Sequence, residues 1–163
     1  MDIDMKKLII AAAIAGAFLA GPAAAQMYVG AGAGSARTDT NDTAWKVYGG
    51  YQFSPTWGLE LGYTDLGRNR GADAEAWSLA ATATLPINER WSLLAKLGAS
   101  ENHVRFHDVG KRADLLMGVG VGYAINKNVG LRLEYEDFGK LANFSDGYNS
   151  RGSDLALSVK YSF

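Results

Sequence analysis

Along residues 155–163, large apolar side chains alternate with small or polar ones. Leu155, Leu157, Val159, Tyr161 and Phe163 fall on one side, and Ala156, Ser158, Lys160 and Ser162 on the other. Residues 129–137 repeat the pattern: Val129, Leu131, Leu133 and Tyr135 share one parity, Gly130, Arg132, Glu134 and Glu136 the other. Successive side chains of a β-strand point to opposite faces, so each segment has one apolar and one polar face. The same period marks residues 45–53, 57–65, 77–85, 91–99 and 115–123. A weaker, Gly-rich eighth segment spans residues 27–35, with Val29, Ala31 and Ala33 on its apolar side. Each has about the 9–11 residues that a tilted strand needs to cross a bilayer.

The links between segments alternate in length. Ser54-Pro55-Thr56, residues 86–90 and residues 124–128 read as short turns, whereas residues 36–43, 66–76, 100–114 and 138–154 read as longer polar loops. Short turns at one end and long loops at the other are characteristic of barrels that span an outer membrane. A soluble barrel with its apolar face inward also alternates. The height of the aromatics separates the two. Trp45, Tyr63, Trp77 and Tyr135 lie near the loop ends, and Trp57, Trp91, Tyr123 and Tyr161 near the turn ends, with aliphatic residues between. Two aromatic girdles flanking an aliphatic band match a bilayer with two interfaces. The expected fold is all-β: an eight-stranded antiparallel up-and-down transmembrane barrel, closed by pairing of the last segment with the first.

The remaining face is mostly small, with Gly62, Ala80, Thr82, Gly98, Gly118, Gly120 and Gly122. An eight-stranded barrel has just enough interior for side chains, so small residues leave room for a few long ones. Glu60, Lys96, Arg132, Glu134 and Lys160 are of both signs and are expected to pair inside as an ionic network.

Residues 1–25 read as a cleavable signal peptide and residues 26–163 as one barrel domain. Lys6 and Lys7 precede an apolar stretch, Leu8 to Ala20, that is too short for the roughly 20 residues of a spanning helix. Ala23-Ala24-Ala25 places the cut between Ala25 and Gln26. The remaining chain has no run of eighteen apolar residues, so no spanning helix is expected. A net charge of -1 provides no basic field for nucleic acid, and the absence of Cys removes thiolate chemistry and Cys-type zinc sites.

Several segments resemble a known family. Gly49-Gly50-Tyr51-Gln52, Gly58-Leu59-Glu60-Leu61-Gly62-Tyr63 and Leu66-Gly67-Arg68 resemble the second and third strands of the OmpA transmembrane domain. Gly122-Tyr123-Ala124-Ile125 and Arg132-Leu133-Glu134-Tyr135 resemble its sixth and seventh strands, and residues 157–163 its last. The resemblance covers the chain after the signal peptide and implies an eight-stranded barrel in the outer membrane of a Gram-negative bacterium. Large family members carry a peptidoglycan-binding domain after the barrel; this chain is expected to comprise the barrel only. The family's interior gate of two acids and two bases is matched at Glu60 and Arg132. Its other positions fall on Thr82 and Gly122, which implies that Lys96, Glu134 and Lys160 rearrange the network. The alternating strand ending on Phe163 resembles the assembly signal of such barrels. The implied partners are outer-membrane lipids and lipopolysaccharide, the barrel assembly machinery and periplasmic chaperones, with the barrel itself a monomer.

For chemistry, some small barrels act on lipid A or peptides with a Ser nucleophile and a His base. The only histidines are His103 and His107, near Ser100, Glu101 and Asp108. In an extended segment Ser100 and His103 fall on opposite faces. Neither an enzyme nor a cofactor or metal site is expected. The leading expectation is a structural or interaction barrel; a narrow passive pore and a rim enzyme rank below it.

Overall fold

The computed structural model describes residues 26–37, 41–69, 72–106, 108–143 and 149–163, with side chains at 41–42, 67–74, 102–112 and 140–151 outside that description. Residues 1–25, read from sequence as a signal peptide, lie outside the described residues; Gln26 opens the first strand. The strands are β1 (Gln26–Arg37), β2 (Asn41–Gln52), β3 (Trp57–Asn69), β4 (Ala72–Pro86), β5 (Trp91–Phe106), β6 (Asp108–Ala124), β7 (Val129–Asn143) and β8 (Asn149–Ser162). Each pairs antiparallel with its neighbour in sequence, and β1 pairs with β8 through Tyr28↔Ser162 to Arg37↔Ser153. The sheet is a closed barrel with no free edge, as hydrocarbon surroundings demand.

The outer wall is apolar and the interior is polar. Leu79, Leu97 and Val119 are 58%, 56% and 62% exposed, whereas Lys96, Arg132 and Glu134 are 6%, 5% and 1% exposed. A soluble barrel would show the reverse, so the apolar wall is the lipid face. On it, Trp45, Tyr63 and Trp77 stack in series across β2, β3 and β4, with ring centroids 5.5 and 5.0 Å apart. Tyr135 is exposed at the same end. At the turn end Trp91 meets Tyr123 at 4.9 Å and Tyr161 meets Phe163 at 5.2 Å, with Trp57 also outward. Phe163 closes this belt, its N–H donating to the Met27 carbonyl.

The three turns share one device. A side-chain oxygen of the second turn residue accepts the N–H that opens the next strand: Ser54 Oγ from Trp57, Asn88 Oδ1 from Trp91, and Asn126 Oδ1 from Val129. Such local side-chain bonds are why Ser and Asn favour turns.

The loop end differs from expectation. The spans read as long polar loops are mostly strand: β5 continues to Phe106 and β6 begins at Asp108. At 16 and 17 residues, these strands exceed the roughly 9–11 that a bilayer needs, so the hairpin projects beyond it. The outward alternation gives way near the loop-end aromatics because the outer face of the extension no longer meets lipid, while backbone pairing persists. In β7 an irregularity after Asp137 is accommodated by Gly139 at φ 72, and its N–H is held by Asp137 Oδ1.

The Gly-rich first segment is a full strand for a steric reason. Tyr28 lies across from Gly50 and Tyr48 across from Gly30, and each ring fills the space a Cβ at the opposite glycine would need.

Candidate functional site

Inward-facing residues stack in layers along the barrel axis. From the turn end, β7 contributes Arg132, Glu134, Glu136 and Phe138 in turn, since residues two apart share a face. The middle layer is an ion network. Arg132 contacts Glu60 at 2.9 Å and Glu134 at 3.0 Å. The Lys96 ammonium reaches Glu60, Glu134 and Glu136 at 2.5, 2.8 and 2.6 Å. Lys46 joins Glu134 and Glu136 at 3.2 and 3.0 Å. Three cations (Lys46, Lys96, Arg132) thus face three acids (Glu60, Glu134, Glu136), all nearly inaccessible to solvent. Such compensation is what makes buried charge tolerable.

Two tyrosines brace the network from β1 and β2. The Tyr28 hydroxyl donates to Glu60 at 2.8 Å, and the Tyr48 hydroxyl shares a hydrogen bond with Ser158 at 2.9 Å. The Arg132 guanidinium lies over the Tyr48 ring, 4.7 Å from its centroid.

Four of the five charged residues named from sequence come together in this layer, and Lys160 does not. Its ammonium sits on the Tyr28 ring, 4.4 Å from the centroid, on the turn-end side. Glu60 and Arg132, the pair matched by resemblance, are in contact, and Lys96 with Glu134 makes a second pair beside them. Thr82 faces inward beside Lys96 on the next strand, and Gly122 lies opposite Arg132. Sequence reasoning missed Lys46, Glu136, Tyr28 and Tyr48, although all four have the inward parity of their strands.

Above the ions, toward the loops, the interior holds an apolar cluster. Leu66, Leu116 and Phe138 are 2%, 1% and 0% exposed and form one cluster with Ala36, Ala44, Ala76 and Ala80. Asp154 lies between the layers, opposite Glu136 across the β7–β8 pair. Both its carboxyl oxygens are buried without a hydrogen-bond partner among the described residues. Below the ions, a cavity of about 260 Å³ faces the turn end, with Tyr28, Arg132 and Lys160 among its lining residues.

The arrangement also bears on metal binding and catalysis. Glu60, Glu134 and Glu136 bring carboxylate oxygens within 4.8 Å of one another, a spacing suited to a cation. The Lys96 ammonium contacts all three and fills that role. The Ser100 hydroxyl is buried and donates to the Phe138 carbonyl at 3.1 Å. The His103 side chain and His107 lie outside the described residues.

The model of the OmpA-like transmembrane domain matches residues 22–163. Outer membrane protein A of Escherichia coli O157:H7 is 29% identical over 143 residues, covering 77% of this chain and 41% of that protein. The Serratia marcescens protein of the same name is 29% identical over 152 residues, covering 81% and 42%. The chain therefore spans about two fifths of the length of these relatives. Among solved structures, Neisserial surface protein A aligns with a TM-score of 0.58 at 19% identity, covering 88% of this chain and all of that one. The N-terminal barrel of Pseudomonas aeruginosa OprF aligns at 0.59 and 14% identity, covering 83% and 97%. Ail of Yersinia pestis aligns at 0.57 and 20%, covering 85% and 97%. These likenesses concern the fold. With a family match over nearly the whole chain, an apolar outer wall between two aromatic girdles and a closed polar interior, the chain belongs to the OmpA-like transmembrane-domain family and resides in the Gram-negative outer membrane.

Proposed function

We propose that this barrel has a structural and interaction role in the outer membrane and does not conduct solutes. The observation that carries the reading is the double closure of its interior. A permeating ion would first have to part the contacts of Lys96 and Arg132 with three carboxylates. It would then meet Leu66, Leu116 and Phe138, which offer no polar group to replace its hydration. What remains open to the outside is the projecting loop end, which would carry any partner-binding role. Outer-membrane lipids and lipopolysaccharide contact the apolar wall, assembly machinery and chaperones deliver the chain, and the closed sheet leaves no edge to demand a second copy.

Planar-bilayer recording of the refolded barrel tests this reading. The expected trace has no discrete openings over the bare bilayer. Reproducible unitary steps would overturn it in favour of a narrow pore.

A further inference from the structure

The turn-end cavity contains a charge imbalance that the ion network does not resolve. Lys46, Lys96 and Arg132 each contact at least two carboxylates, whereas Lys160 forms no ion pair among the described residues. Glu60 and Glu134 act on it only at a distance, and the Arg132 charge opposes it. Its contact with the Tyr28 ring offsets part of the desolvation and supplies no counter-charge. A half-buried ammonium beside a guanidinium calls for an anion.

The space for one adjoins it. Lys160 lines the cavity of about 260 Å³, together with Ser92 and Gln26, whose side chains carry a hydroxyl and an amide. No hydrogen bond joins either of those two side chains to another described residue. At roughly 30 Å³ per water, the volume holds a small polyatomic ion with part of its hydration, and it falls short of the 300 Å³ or more typical of drug-sized ligands. The nearby turns supply Arg90 and Lys127 against Glu89 at the rim, a net positive mouth that favours entry of anions.

We propose that this cavity binds a small oxyanion of the phosphate class from the periplasmic side, with the Lys160 ammonium as its principal charge and Ser92 and Gln26 as hydrogen-bond donors. An oxyanion suits the site because several oxygens can accept from donors on different strands at once, which a halide cannot do with the same geometry. The proposal is independent of the loops and of whether the barrel conducts, because the cavity ends at the ion network.

Inorganic phosphate is titrated into the barrel refolded in octyl glucoside, a phosphate-free detergent, and binding is followed by calorimetry and by the shifts of the Lys160 side-chain resonances. Saturable binding with Lys160 shifts is expected. Lys160→Gln should weaken it at least about tenfold, as losing a charge-assisted hydrogen bond implies. Lys160→Arg should retain it. Arg37→Gln, which removes the same charge at the opposite end, should leave it unchanged. A second arm replaces free phosphate with phosphatidylglycerol vesicles in phosphate-free buffer. A Lys160 shift in that arm alone would identify a lipid headgroup as the source, and one in the first arm alone would identify the free ion. No saturable binding in either arm, equal response to chloride, or equal loss in Arg37→Gln and Lys160→Gln would overturn the proposal. If Lys160→Gln does not refold, the Lys160 resonances of the unmodified barrel decide: unmoved by phosphate and by vesicles, they overturn it.

Discussion

On the outer wall of β7, Leu133 and Tyr135 are 42% and 48% exposed; between them on the inner wall, Glu134 is 1% exposed. In a water-soluble protein those figures would be interchanged, because an apolar wall would be driven inward and carboxylates left in water. Here the two sides of one strand face different solvents. The outer wall meets hydrocarbon, where leucine costs nothing and every backbone group must already be bonded. The inner wall meets its own charges at contact distance, where each acid is stabilised by a base from a distant strand. Adjacent residues on a strand therefore belong to different energetic regimes, and a substitution should be judged by the parity of its position before its chemistry.

Ordered by expected size, four substitutions probe this contrast. Arg132→Met leaves Glu60 and Glu134 with fewer counter-charges in a buried layer. It should destabilise the refolded barrel by about 3–5 kcal/mol, the cost of orphaning one side of a buried ion pair. Denaturant unfolding in detergent measures this, and a loss under about 1 kcal/mol would show that water reaches the interior freely. Leu97→Arg places a charge on the lipid wall and should cost about 2–4 kcal/mol if the site lies near the bilayer midplane. Gel mobility of the folded form in lipid vesicles reports it, and an unaffected barrel would reverse the face assignment.

Gly30→Ala introduces a Cβ where the Tyr48 ring lies, with a cost of about 1–3 kcal/mol for overpacking. Pairing it with Tyr48→Leu should recover part of that loss, and failure to recover any would point to a backbone cause instead. Asp154→Asn should have the smallest effect and the opposite sign. Its carboxylate is buried without hydrogen bonds opposite Glu136, so removing the charge should stabilise by up to about 1 kcal/mol. A clear destabilisation would mean that Asp154 has a counter-ion.

Much of the architecture was legible from parity alone. Alternation located all eight strands and divided them into faces, and the aromatics at strand ends identified lipid as the outer solvent. What parity could not supply was register. Lys46 and Glu136 lie 90 positions apart, and only the strand pairing brings them to 3.0 Å. Tyr28 and Tyr48 were hidden differently: each stands opposite a glycine on the next strand, a complementarity invisible within either segment.

The apolar plug was obscured by its own composition. Leu116 follows Leu115, and Leu66 and Phe138 stand where the apolar–polar pattern gives way to the spans read as loops, so none reads as inward. Their inward orientation follows once β3, β6 and β7 are seen to extend past the membrane with parity intact.

An interior open at the turn end and sealed above it can be tested directly by labelling. The chain contains no Cys, so single cysteines can be introduced and labelled cleanly with a charged, water-soluble methanethiosulfonate reagent. Ser92→Cys lies in the turn-end cavity, and Ser100→Cys on the same face of β5 lies above the ions beside Phe138. Rapid modification is expected at 92, and protection at 100 until the barrel is unfolded. Equal labelling rates at the two positions in the folded barrel would contradict the sealed interior.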